Sequence, residues 1–83
     1  MTKGAEHLQI NIRLYGPLEK YAGQPGLYRM EIMSGFSVEQ LQDQLGVPCS
    51  SLGLIVINGI KRELDYRLEE NAEVKFFPYV AGG

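Results

Sequence analysis

Four apolar side chains, Leu8, Ile10, Ile12 and Leu14, alternate with Gln9, Asn11, Arg13 and Tyr15. Period-2 alternation is the pattern of a strand with one face in a core and the other outside it. Such a strand needs neighbours along its edges and something apolar over its inner face. The chain has 83 residues, room for one small domain with one core, so the remaining segments must supply both. Residues 27–33 resume the alternation, with Tyr28, Met30 and Ile32 set against Leu27, Arg29, Glu31 and Met33; this predicts a second strand, antiparallel to the first. Gly16-Pro17 ends the first strand, and the connection to Pro25-Gly26 is too long for a two-residue turn. Within it Leu18 and Tyr21 can tuck one helical turn under the sheet.

The cover comes from residues 37–45. Ser37 can cap a helix while Gln40, three residues on, reaches back to the Ser37 backbone, and Phe36 can staple onto Leu41 across the cap. Val38, Leu41 and Leu45 form its apolar stripe, Gly46 stops it and Pro48 follows. Residues 49–53 read as a connecting loop. Leu54-Ile55-Val56-Ile57 reads as a strand, and Asn58-Gly59 as a type I′ turn into a short charged return strand over residues 60–63. Residues 64–71 read as a polar crossover anchored by Leu68, with Asn71 as a turn residue. Residues 74–80 then form the last strand. The expected fold class is α+β: a ββαββ mixed sheet with one covering helix, and with the first and last strands adjacent and parallel at its centre.

One short helix covers one sheet face, which decides how to read the last strand. If Val74, Phe76, Pro78 and Val80 face the helix, then Lys75, Phe77 and Tyr79 face outward. Exposed aromatics grouped on one face mark a partner site. Val56 extends that patch if Ile55 and Ile57 are the buried pair. Beyond the strand lies Ala81-Gly82-Gly83. Glycines add nothing to a core, but they make a thin thread able to carry a terminal carboxylate into a site too narrow for a side chain. The expected organisation is a loose arm over residues 1–7, one domain over residues 8–80 and a flexible tail over residues 81–83.

Side-chain catalysis has little to work with. His7 is the single histidine and falls in the arm; base catalysis needs a positioned imidazole with an orienting partner. Cys49 is the single cysteine; it has no basic neighbour to make it a thiolate and no partner for an internal disulfide. No residues have metal-ligand spacing, and no bound cofactor is expected. A formal net charge of -2 without a basic cluster argues against nucleic acid. No apolar run is long enough to span a membrane, and no secretory signal is visible, so a reducing cytoplasm is the expected compartment.

The ββαββ order together with Glu73-Val74-Lys75-Phe76-Phe77-Pro78-Tyr79-Val80-Ala81-Gly82-Gly83 resembles the MoaD/ThiS family of ubiquitin-like β-grasp sulfur carriers. The ending is similar to the "EVxFFPPVxGG" of MoaD, the small subunit of molybdopterin synthase, and residues 10–23 resemble the first strand and turn of that subunit. Tyr79 replaces the second proline, and Asn71-Ala72 stands where a Gly-Asp turn is common. The resemblance implies that the Gly83 carboxylate is adenylated with ATP by a ubiquitin-activating-like adenylyltransferase of the MoeB or ThiF type. It is then converted to a thiocarboxylate that donates sulfur in molybdenum or tungsten cofactor biosynthesis. It also implies a MoaE-like large subunit as partner, with Phe77 docking into it. The chain would then be a non-catalytic carrier within a synthase-like complex. Three alternatives stand beside this reading: a thiamine-type carrier, a ubiquitin-like modifier conjugated through Gly83, and an interaction domain with an inert tail.

Overall fold

The computed structural model describes residues 7–80. Residues 1–6 of the expected arm and the expected tail over residues 81–83 lie outside the described residues. Five strands, β1 (His7–Leu14), β2 (Tyr28–Met33), β3 (Leu52–Ile57), β4 (Ile60–Lys61) and β5 (Glu73–Pro78), form one sheet in the order β2-β1-β5-β3-β4, with helix α1 (Val38–Leu45) following β2. β1 and β5 run parallel at the centre and the other neighbours pair antiparallel. This is the expected ββαββ mixed sheet, with β4 as a two-residue return strand at its edge.

Alternation places the core as expected. Ile10, Ile12 and Leu14 of β1, Ile32 of β2, Ile55 and Ile57 of β3, and Val74 and Phe76 of β5 are buried together with Val38 and Leu41 of α1. A 3₁₀ turn over Gly16–Tyr21 carries the wholly buried Leu18, and Leu68 anchors the crossover. Asn58 and Gly59 both hold positive φ, 53° and 82°, as a type I′ turn requires. The Asn58 side chain also accepts from the Glu73 N–H at 2.9 Å, tying this hairpin to the start of β5. Among the described residues no helix is long and apolar enough to cross a membrane.

The start of α1 is fully partnered. Ser37 Oγ accepts from the Gln40 N–H at 3.2 Å, and Gln40 Oε1 accepts from the Ser37 N–H at 2.9 Å. The next two N–H groups, of Val38 and Glu39, donate to Tyr66 O and Leu64 O of the crossover, each at 2.9 Å. Ser37→Ala is therefore expected to cost ~1 kcal/mol, the usual loss for a helix cap. A thermal melt should show it as a fall in Tm of about 4–8 °C, typical for a domain of this size.

Four expectations need correction. His7 is the first residue of β1, not part of an arm, and its imidazole lies 3.9 Å from Glu31 on β2 with both side chains exposed. Residues 49–53 are not a plain loop: Cys49–Ser51 form a 3₁₀ turn and β3 begins at Leu52. The return strand stops at Lys61, although the Arg62 N–H still donates to Ile55 O at 2.9 Å. The last strand ends at Pro78, and Val80 is 72% exposed rather than facing the helix. The reason is a lack of neighbours: pairing with β1 stops at Leu14–Phe76 and pairing with β3 at Leu52–Pro78.

Candidate functional site: the open sheet face and the end of the last strand

α1 covers one face of the sheet; the other face carries the outward residues of the central strands. The register sets them in rows. Phe77 lies opposite Leu54, and Val56 lies between Lys75 and Lys61; on the other side of β5, Arg13 pairs with Lys75. Tyr15, just past the end of β1, stacks on Phe77 with ring centroids 4.4 Å apart and planes 14° from parallel. The Arg13 guanidinium sits 4.7 Å from the Tyr15 ring centroid, within cation–π range. The result is an apolar ridge of Tyr15, Phe77, Leu54 and Val56 bordered by cations. Phe77 and Val56 are half-buried by these neighbours, and Leu54 is exposed.

The cations on this face differ in how free they are. Lys75 Nζ is 3.7 Å from Glu73 Oε2. Lys61 Nζ is 2.8 Å from Glu63 Oε2, and that hydrogen bond and charge hold the Glu63 carboxyl below the usual carboxylate range. Both are surface pairs, which contribute little to stability.

The chain leaves the sheet beside this ridge. The Tyr79 N–H donates to Ser51 O at 2.8 Å, and the Tyr79 side chain is 61% exposed. Tyr79 lines a cleft of about 180 Å³ with Pro17, Leu18, Tyr21, Ser51 and Pro78. That is smaller than the usual small-molecule pocket of roughly 300–1,000 Å³. Nothing here is a nucleophile with a base beside it, so the arrangement is suited to docking rather than to side-chain chemistry.

No family model matches the chain, and no curated protein matches it. Solved structures do. SAMP1 of Haloferax volcanii superposes with a TM-score of 0.68 at 20% identity, over 90% of this chain and 99% of that one. A putative molybdopterin converting factor, subunit 1, from Pyrococcus furiosus gives 0.70 at 18% identity, over 88% and 99%. Subunit 1 or 2 in a complex of the molybdopterin-converting factor from Helicobacter pylori gives 0.56 at 17% identity, over 92% and 100%. The fold is the ubiquitin-like β-grasp. At these identities the likeness is one of fold.

Within this β-grasp, Phe77 and Val56 share the open face as expected. Tyr79 does not extend their row, because the strand has ended before it. Ala81, Gly82 and Gly83 lie outside the described residues. Three members of the site escaped the sequence reading. In the sequence Tyr15 and Arg13 are only the polar half of the first alternation, and Leu54 is one of four consecutive apolar residues with no face assigned. The β1–β5 register places Arg13 and Tyr15, and the β3–β5 register places Leu54.

Proposed function

We propose that the chain is a sulfur carrier that docks through the open face of its β-grasp sheet and works through the Gly83 carboxylate. The observation that carries this reading is adjacency: the last strand ends at Pro78 beside the Tyr15–Phe77–Leu54 ridge, and the sequence beyond it is Tyr79-Val80-Ala81-Gly82-Gly83. A partner that grips the ridge is thereby positioned to receive the tail. Likeness to molybdopterin converting factor subunits from two organisms, one of them solved as a complex of subunits 1 and 2, favours molybdopterin or the related tungsten cofactor as the pathway and a MoaE-like subunit as acceptor.

The chemistry explains why a bare carboxylate suffices. A carboxylate oxygen of Gly83 attacks the α-phosphorus of ATP and pyrophosphate leaves, giving an acyl-adenylate. A hydrosulfide-level sulfur then attacks the carbonyl carbon and expels AMP, leaving a thiocarboxylate. Activation is needed because carboxylate oxygen is a poor leaving group, whereas AMP is a good one. The enzyme that binds ATP is the adenylyltransferase; this chain contributes docking surface, thread and terminus.

A second reading, a protein modifier joined through Gly83 to a partner's lysine, draws on the likeness to a small archaeal modifier protein. The test tags the chain at its N-terminus and recovers it from its native lysate. Sulfur carriage predicts co-purification of an adenylyltransferase whose ATP–pyrophosphate exchange depends on the added chain. Covalent, denaturant-resistant species of higher mass, with no sulfur acceptor bound, would favour the modifier instead.

A further inference from the structure

We propose that Gly53 is a positioning residue for the tail: the bulge it forms in β3 fixes the direction in which the chain leaves the sheet after Pro78. The consequence for sulfur loading rests on the carrier reading above; the geometry does not. Leu52 pairs with Pro78 and Leu54 with Phe77, so three residues of β3 span two of β5 and Gly53 is the extra one. In a regular strand Leu52 and Leu54 would share a face. With the bulge, Leu52 packs against the core while Leu54 stands opposite Phe77 on the open face. A bulge redirects the strand locally in this way.

The requirement for glycine at this point is clearance. Positive φ occurs at Gly16, Gly26, Gly35, Gly46 and Gly59 but not at Gly53. A Cβ on Gly53 would instead stand 2.7 Å from Pro78 O, 2.8 Å from Tyr79 Cα and 2.9 Å from Pro78 C. All three are backbone atoms, so no side chain can swing aside to admit it. From the same strand end, Ser51 O holds the Tyr79 N–H at 2.8 Å. Residues 78 and 79 are thus pinned by one hydrogen bond and one close approach, with only Val80 between them and the tail. Extended into a narrow site, four residues span roughly 14 Å, so a small rotation at Tyr79 becomes an error of ångströms at Gly83.

Gly53→Ala tests this directly, with Gly35→Ala as control: Gly35 has φ +85° and open space around an added Cβ, so the control strains the backbone without touching the strand end. Pro78→Gly, which adds no side-chain atom near Gly53, loosens the same segment and serves if Gly53→Ala does not fold. Two quantities are read. Amide hydrogen exchange of the isolated chain should show Tyr79 protection falling tenfold or more in Gly53→Ala and unchanged in Gly35→Ala. Adenylation kinetics should show kcat falling by about a hundredfold, the cost of a misplacement near 1 Å, with KM nearly unchanged because the ridge still docks. Retained Tyr79 protection, retained kcat in Gly53→Ala, or an equal loss of kcat in Gly35→Ala overturns the proposal. If the wild-type chain is never adenylated, the carrier reading fails, and Tyr79 exchange alone decides whether the bulge fixes the strand end.

Discussion

Phe77→Ala is expected to weaken docking to the adenylyltransferase or the acceptor subunit by ~2 kcal/mol or more, about 30-fold in Kd, as for an aromatic hot spot. The ring is the centre of the open-face ridge, stacked on Tyr15 at 4.4 Å and opposite Leu54. Truncation removes the stack as well, and aromatic pairs contribute about 0.5–1.5 kcal/mol beyond their buried area, so a modest fall in Tm accompanies the loss of affinity. The fold should survive, because the neighbouring Phe76, not Phe77, is the aromatic ring wholly buried under α1. Calorimetric titration beside a thermal melt checks both halves. A folded variant that binds as tightly as wild type would remove Phe77 from the docking surface, and an unfolded one would show that the ring belongs to the core.

Altering the terminus should have a larger effect still. Adding one residue after Gly83 turns the reacting carboxylate into an amide and moves the new terminus by about 3.5 Å. Misplacement by about 1 Å can already cost a hundredfold in rate. The extended protein is expected to keep its Tm and its Kd for the partner, yet to support no chain-dependent ATP–pyrophosphate exchange. Deleting Gly83 should be equally silent because the thread then falls short. Gly82→Val keeps length and carboxylate but adds branched bulk, and so isolates the steric requirement. An extended protein that still passes sulfur without being trimmed back to Gly83 would sink the carrier reading.

Much of this molecule is legible locally. The Ser37–Gln40 box and the positive φ of Asn58 and Gly59 follow from short-range hydrogen bonding and backbone sterics, which a few adjacent residues determine. The buried faces of β1 and β5 follow from strict alternation. What the sequence hides depends on register between distant strands. Tyr15 meets Phe77 only because β1 and β5 run side by side, and no local pattern encodes that contact. Gly53 looks like an ordinary loop glycine until its backbone is seen against Pro78 and Tyr79. The alternation through Val80 continues on paper, but the strand stops at Pro78 because its neighbours do. Of the three residues expected on the docking face, Phe77 and Val56 are together, whereas Tyr79 stands past the last paired residue.

The most direct test of sulfur carriage is mass spectrometry of the protein purified from its native cell, intact and as its C-terminal peptide. A carrier shows a population in which one oxygen has been exchanged for one sulfur, with the gain confined to Gly83, and only that population takes up an alkyl group at the terminus when treated with an alkylating reagent, because the thiocarboxylate sulfur is the nucleophile. A protein taken from cells that supply ATP, adenylyltransferase and sulfur donor, yet whose Gly83 carries only oxygen, contradicts the account.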